Sequence, residues 1–311
     1  MMKRFLLKLI LVTFGVSSSA IANDKPMITI NQFTSHVALD AAYDGLKQAL
    51  LYRGVLPEKA NVILSNAQGN ISNSVQISKH HSSLEPKFMV AIATPAAQTN
   101  LKAKGENSIL AFLAVTDPKA ANLSDQKNVI GVTDYPPIVK LVDIAVRVIP
   151  NLKRVGTIYN SGEVNSSKIV DNLEAELKTR NIELKRVSIT NSNDIKNALN
   201  QLIGSVDVIY LPQDNSVVSA IDNIVSISLK AGLPLIANDP TLVDKGVPIA
   251  IGANYFNSGK QLGNMIADIM EGKTLAQNIQ NGKTQELKIN QESVKSFGLT
   301  IPKDLIEGAS K

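Results

Sequence analysis

Phe88-Met89-Val90-Ala91-Ile92-Ala93 runs into Thr94-Pro95-Ala96-Ala97-Gln98 without a polar break. The first six residues suit a buried parallel strand. Thr94, Pro95 and the two alanines suit the N-cap, first turn and opening of a helix. A junction of this kind aims unpaired backbone N–H groups, and the positive end of the helix dipole, beyond the strand end, where an anion is stabilised. The second half holds a counterpart in Val206–Val218, VDVIYLPQDNSVV, with Asp214 in the place of Thr94. Donors at one edge and a carboxylate at the other predict two edges facing across a cleft and holding a zwitterion.

Outward from Phe88 the pattern repeats. Strands are expected at 27–31, 61–64, 88–93, 109–115 and 129–132, with helices at 37–52, 72–81 and 96–104. Strands that alternate with helices argue for parallel sheets covered on both faces. At Tyr135-Pro136-Pro137 the alternation breaks, because consecutive prolines cannot sit in a paired strand. A second series then begins: helices at 138–148, 166–180, 194–203 and 217–231, and strands at 154–159, 183–187, 206–211 and 233–237. The tail adds a strand at 248–253, a helix at 257–270 and a strand at 286–289, with connections near Asn254 and Gly282 placed to cross between halves. The expected division is a lobe of 23–135 with 254–282 and a lobe of 136–253 with 283–311. The fold class is α/β, two Rossmann-like lobes with parallel sheets joined by a multi-strand hinge.

Lys3 and Arg4 precede an apolar run from Phe5 to Val16 and a small-residue cleavage site at Ala20-Ile21-Ala22. Residues 1–22 read as a secretory signal peptide. Its removal takes three basic residues and no acid from a total of 32 basic and 27 acidic, so the formal charge falls from +5 to +2. The basic residues are scattered and no groove-reading motif is present, so no nucleic-acid partner is expected. There is no cysteine, hence no thiol to lipidate at the cleavage site, and the setting expected is the periplasm.

In open α/β sheets ligands lie beyond the carboxyl ends of the strands. The polar residues in those places are Thr34, Ser35 and His36; Thr94; Thr116 and Asp117; Asn160 and Glu163 to Ser166, Asn165 among them; Asp214 and Asn215; and Asp239. The competing reading is that Thr, Asp and Asn merely cap the helices that follow. Their convergence at equivalent strand ends of both halves favours a site. No metal-ligand set, cofactor motif, nucleophile elbow or triad is present. Gly272-Lys273-Thr274 and Gly282-Lys283-Thr284 lack the earlier glycine of a phosphate loop and read as turns. Without Trp and with few Phe and Tyr, Phe33, Tyr135, Tyr159 and Tyr255 at strand ends suit a cleft that takes an apolar or aromatic side chain.

His36 with Ala38-Leu39-Asp40, Asn66-Ala67-Gln68-Gly69, Val90–Gln98, Ala114–Pro118, Arg154–Asn160, Glu163 with Asn165-Ser166, and Asp214-Asn215 with Ser219-Ala220 together resemble the periplasmic substrate-binding proteins of ABC importers, in the group associated with tryptophan and tyrosine uptake. The resemblance covers nearly all of the chain after residue 22. It implies the type I periplasmic binding fold, closure around a small solute, a monomer, an ABC permease in the inner membrane as partner, and no catalysis. It also implies that Thr94, the Ala96 N–H and Thr116 take a ligand carboxylate and that Asp214 and Asp239 take its ammonium. Gln213 stands where the group commonly has Thr, Asn238-Asp239-Pro240 replaces a Gly-Asp-Thr-like turn, and Ser35 and Val37 replace Glu and Pro. These departures lie near the expected site and bear on which solute it takes. A sensory role docking on a receptor or kinase, or a sugar or nucleoside as solute, are the alternatives.

Overall fold

The computed structural model describes residues 25–309; the signal-peptide reading falls outside the described residues. In the first half β1 (Met27–Gln32), β2 (Asn61–Asn66), β3 (Phe88–Ile92), β4 (Ile109–Val115) and β5 (Val129–Thr133) alternate with α1 (Val37–Tyr52), α2 (Ile71–Ser83) and α3 (Thr94–Ala103). After α4 (Ile138–Val148) the second half runs β6 (Arg154–Asn160), α5 (Val164–Lys178), β7 (Glu183–Ile189), α6 (Ile195–Leu202), β8 (Val208–Leu211), α7 (Asn215–Ser219), α8 (Ile221–Lys230), β9 (Leu235–Ala237) and β10 (Ile249–Ala253). The tail contributes α9 (Tyr255–Met270), β11 (Ile279–Asn281), β12 (Gln285–Ile289), α10 (Gln291–Ser296) and α11 (Lys303–Glu307).

The strands form two six-stranded sheets, ordered β11-β5-β4-β3-β1-β2 and β12-β10-β9-β8-β6-β7. Pairing is parallel except for β12, which runs antiparallel to β10. The apolar runs of β3, β5 and β10 are buried at every residue, as strands covered by helices on both faces must be. Each half has its own core, one around Phe88, Phe112 and Leu46, the other around Tyr210, Leu199 and Ile249.

The chain passes between the sheets three times, after Thr133, after Ala253 and after Asn281. These passages are tied together, with Gly282 N donating to Thr133 O at 2.9 Å and Asn254 N to Thr284 O at 3.0 Å. The second passage delivers α9 onto α1. Their axes approach so closely that a Cβ at Gly45 would overlap the Phe256 carbonyl and one at Gly259 the Ala42 carbonyl. Glycine is required there by backbone contact, and the contact fixes α1 and the start of α9, which both reach the cleft.

Several local expectations are corrected. Thr94 is not the N-cap of α3: Ala93 holds that place at φ 86°, and Thr94 is the first helical residue with no capping bond. The strand ends one residue early, and the turn is made by a left-handed alanine. Such a conformation costs a non-glycine residue on the order of 1–3 kcal/mol and concentrates at functional sites. The expected helix 217–231 is broken at Ala220 into α7 and α8. The three-residue β11 and the short α10 and α11 carry too few periodic apolar positions to be read from the sequence.

Candidate ligand-binding site

The C-terminal ends of both sheets face one another across a cavity of about 20 Å³, room for about one water molecule. Its walls mix the apolar Ala38, Leu39, Ala114 and Val218 with carboxylates, amides and one imidazole. Of the expected residues, His36, Thr116, Asn165, Asp214, Asn215 and Asp239 line it. Thr94 and Ala96 are buried at the end of β3, between the strands whose loops make the wall, and do not line the cavity as the lobes stand.

Other expected residues are engaged elsewhere. Ser35 donates to Asp40 at 2.8 Å and Thr34 offers its carbonyl to Gln32 at 3.0 Å. Asp117 accepts from the N–H groups of Lys119 and Ala120, and Asn160 donates from its side chain to Thr190 O and Ser216 Oγ. At Asp117 the local turn accounts for the residue type; Ser35 and Asn160 bond other side chains or backbone of the protein, and Thr34 is held through its backbone alone.

Asp214 is the N-cap of α7, and both its oxygens are spent on the protein. Oδ1 accepts from Val217 N at 3.0 Å, while Oδ2 accepts from Asn160 N and from Ser166 Oγ at 2.6 Å. Glu163 lies beside it, accepting from both the side chain and the backbone N–H of Asn215. Burial and the neighbouring Asp214 charge push the Glu163 carboxyl up to about 8, and burial raises Asp214 too. Asn215, held by Glu163, presents its Oδ1 to His36 Nε2 at 3.2 Å across the cleft. Since an amide oxygen only accepts, His36 carries its proton on Nε2 and leaves Nδ1 as an acceptor. Burial lowers the imidazole to about 4, so it is neutral at physiological pH.

Two residues absent from the expected set lie at the centre. Asp134 follows β5 directly, is buried, and lines the cavity. Its Oδ2 accepts from Tyr255 OH at 2.9 Å and from Gln213 Nε2 at 3.1 Å, and its Oδ1 has no partner. Burial raises its carboxyl above the usual range, against the hydrogen bonds from Tyr255 and Thr116. Gln213 comes from the second lobe and ties Asp134 and Tyr255 to it. The signal for Asp134 was its place one residue beyond a buried strand, the same position that singled out Thr94 and Thr116.

At the start of α1 the N–H groups of Val37, Ala38 and Leu39 have no acceptor among the described residues, since His36 makes no side-chain cap. Of the eleven buried unpaired side-chain polar atoms among the described residues, three belong to residues that line this cavity, His36 Nδ1 and Asp134 Oδ1 from the first half and Asn165 Oδ1 from the second, and Glu163 Oε1 and Asn238 Oδ1 lie on side chains bonded to its lining residues Asn215 and Gln213. Each costs about 1–3 kcal/mol when left unpaired, so their convergence marks a place built for a polar solute.

Residues 27–311 match the family model for ABC transporter substrate binding proteins. The chain belongs to that family. The substrate-binding protein is 30% identical to the tyrosine-binding protein of Clostridioides difficile (strain R20291) over 88% of this chain and 81% of that one. Among solved structures it is similar to an ABC domain in complex with L-Trp from Streptococcus pneumonia, at 27% identity and TM-score 0.87, covering 92% of this chain and 99% of the other. Against the ligand-free, open structure of a substrate-binding protein with adhesive properties from Clostridium difficile, at 29% identity and coverage of 92% and 98%, the TM-score is 0.68. Identity and coverage hardly change between the two, so the lobes of this substrate-binding protein stand closer to the arrangement of the L-Trp complex. Its architecture is that of the type I periplasmic binding proteins. None of its described helices is long and apolar enough to cross a membrane, and the described residues hold no group of three acids, histidines or cysteines that suits a metal.

Proposed function

We propose that this protein is the solute-binding component of an ABC importer, exported to the periplasm through a cleaved signal peptide. It captures an amino acid with an aromatic or apolar side chain between its lobes and delivers it, as a monomer without catalytic activity of its own, to a permease in the inner membrane. The lobes are 23–135 with 254–282 and 136–253 with 283–311. The observation that carries this reading is the set of unpaired buried polar atoms on residues of both lobes, His36 and Asp134 from one and Asn165 from the other, that line one cavity together with the apolar Ala38, Leu39, Ala114 and Val218. The tyrosine-binding and L-Trp-bound relatives support an amino acid over other solutes.

Mechanistically, the three linked passages form the hinge. An amino acid enters when the lobes part. Solute meeting one lobe then recruits the other, and the population shifts toward the closed state. Closure joins Gln213 to Asp134 and Tyr255, and His36 to Asn215. Native mass spectrometry of the freshly purified protein tests the solute class. A one-to-one adduct with the mass of an amino acid is expected; an adduct with the mass of a hexose or a nucleoside would overturn the reading.

A further inference from the structure

Two uncharged side chains that line the cavity, one from each lobe, hold a buried acceptor without a partner, and the bonds each one makes fix which atom that is. Asn165, 5% exposed at the start of α5, spends its NH₂ on the Gln213 carbonyl at 2.9 Å and on Glu163 Oε2 at 3.4 Å, and its Oδ1 is unpaired. A carbonyl only accepts, so this amide has one orientation. His36 gives its Nε2 proton to Asn215 Oδ1 at 3.2 Å and keeps Nδ1 buried and unpaired. Asn215 is turned for this by Glu163, which takes both its side-chain and its backbone N–H. One carboxylate thus steadies both acceptors.

We infer that His36 Nδ1 and Asn165 Oδ1 read a hydrogen-bond donor on the solute's side chain, so that the preferred solutes are amino acids whose aromatic ring bears an O–H or an N–H. The inference rests on the cleft being an amino-acid site and narrows the side chain within it.

Ala38 and Leu39 follow His36 in the first turn of α1, and Val218 follows Asn215 on α7; all three line the cavity. The acceptors therefore share the apolar part of the wall, where a ring gains by burial. A phenol or an indole brings apolar area and a donor to that place. A phenyl or an aliphatic side chain brings the area alone and leaves buried acceptors cut off from water, the situation in which a site discriminates most strongly. Burial lowers the His36 imidazole to about 4, so Nδ1 keeps its lone pair at pH 7. Because His36 belongs to one lobe and Asn165 to the other, the donor is read only when the lobes close. Glu163 and Asn215 are positioning residues, since they set the ring nitrogen that carries the proton.

The test is isothermal titration at pH 7 with two matched pairs: L-tyrosine against L-phenylalanine, and L-tryptophan against 3-benzothienyl-L-alanine, in which sulfur replaces the indole N–H. The members of a pair share amine and carboxylate, so their difference reports the side chain alone. On the wild type, the donor-bearing member of at least one pair should bind at least about tenfold more tightly, a comparison that needs no variant to fold. H36L and N165L, with their melting recorded alongside, should each shrink that ratio at least about threefold, chiefly because the donorless member no longer strands an acceptor. Nitrogen NMR of the solute-bound protein should find the His36 proton on Nε2 and Nδ1 bare. A preference below about tenfold in both pairs, an unchanged ratio in either variant, or a proton on Nδ1 overturns the inference and leaves the amino-acid reading standing. If no amino acid binds, both fall.

Discussion

Replacing Asp214 by Asn removes one charge and converts one acceptor of the side chain into a donor. The amide oxygen can still cap Val217 N, but the NH₂ then faces the backbone N–H of Asn160 and the hydroxyl of Ser166. The hydroxyl can rotate to accept, whereas the backbone N–H cannot, so one buried donor loses its partner at a cost of about 1–3 kcal/mol. Part of this is returned by the lost repulsion between Asp214 and Glu163. A net loss of about 1–2 kcal/mol corresponds, for a chain of this size, to a Tm lower by roughly 2–8 °C. Scanning calorimetry of the ligand-free protein at pH 7 measures it. Amino-acid affinity should change less than about tenfold, because the carboxylate is spent on the protein. A variant that melts with the wild type and loses binding more than 100-fold would refute this reasoning and return the ammonium to Asp214.

Other perturbations bear on other parts of the molecule. Glu163 carries a folded-state pKa of about 8 against an ordinary 4.5, so the native state keeps a proton the unfolded chain has released, and stability falls as pH rises between these values. Below pH 6.5 the buried His36 and His81, both lowered to about 4, oppose this, since the unfolded chain protonates them first. From pH 6.5 to 8 the Tm should fall, Glu163 contributing the equivalent of at most about 2 kcal/mol and the raised Asp134 and Asp214 acting in the same direction, and Glu163→Gln should reduce the slope in calorimetric scans. Gly259→Leu drives a side chain into the Ala42 carbonyl on α1 and should cost at least about 1–3 kcal/mol by urea titration; an unchanged midpoint would mean the helices do not meet as described. His36→Ala removes a neutral bond between the lobes worth about 0.5–1.5 kcal/mol. Stopped-flow release of a bound amino acid should accelerate roughly 2- to 12-fold, and an unaltered rate would remove His36 from the closed-state contacts.

The alternation of apolar strands with helices was legible because burial on both faces leaves continuous runs such as Phe88–Ile92. The crossings were marked by Tyr135-Pro136-Pro137 and by the changes near Asn254 and Gly282. At the site the sequence pointed to strand ends whose loops line the cavity but could not divide capping from binding. Asp214 and Asp117 sit where a ligand group would, yet one oxygen of Asp117 is taken by N–H groups of its own turn and both oxygens of Asp214 by N–H groups and a hydroxyl, from as far as residues 160 and 166. Those distances in sequence leave no periodic trace. Asp134 is masked in the sequence by the hinge prolines that follow it, and its unpaired Oδ1 is a property of burial alone. The approach of α1 to α9 depends on Gly45 and Gly259, whose neighbours are set by the third dimension.

The central claim is that closure of these two lobes captures an amino acid. Protein unfolded in denaturant, dialysed free of solute and refolded, titrated calorimetrically with each of the twenty amino acids, tests it directly. Saturable one-to-one binding by an aromatic or apolar amino acid, with the negative heat-capacity change of buried apolar surface, is the expected result. Binding of a sugar or nucleoside with no response to any amino acid would contradict it.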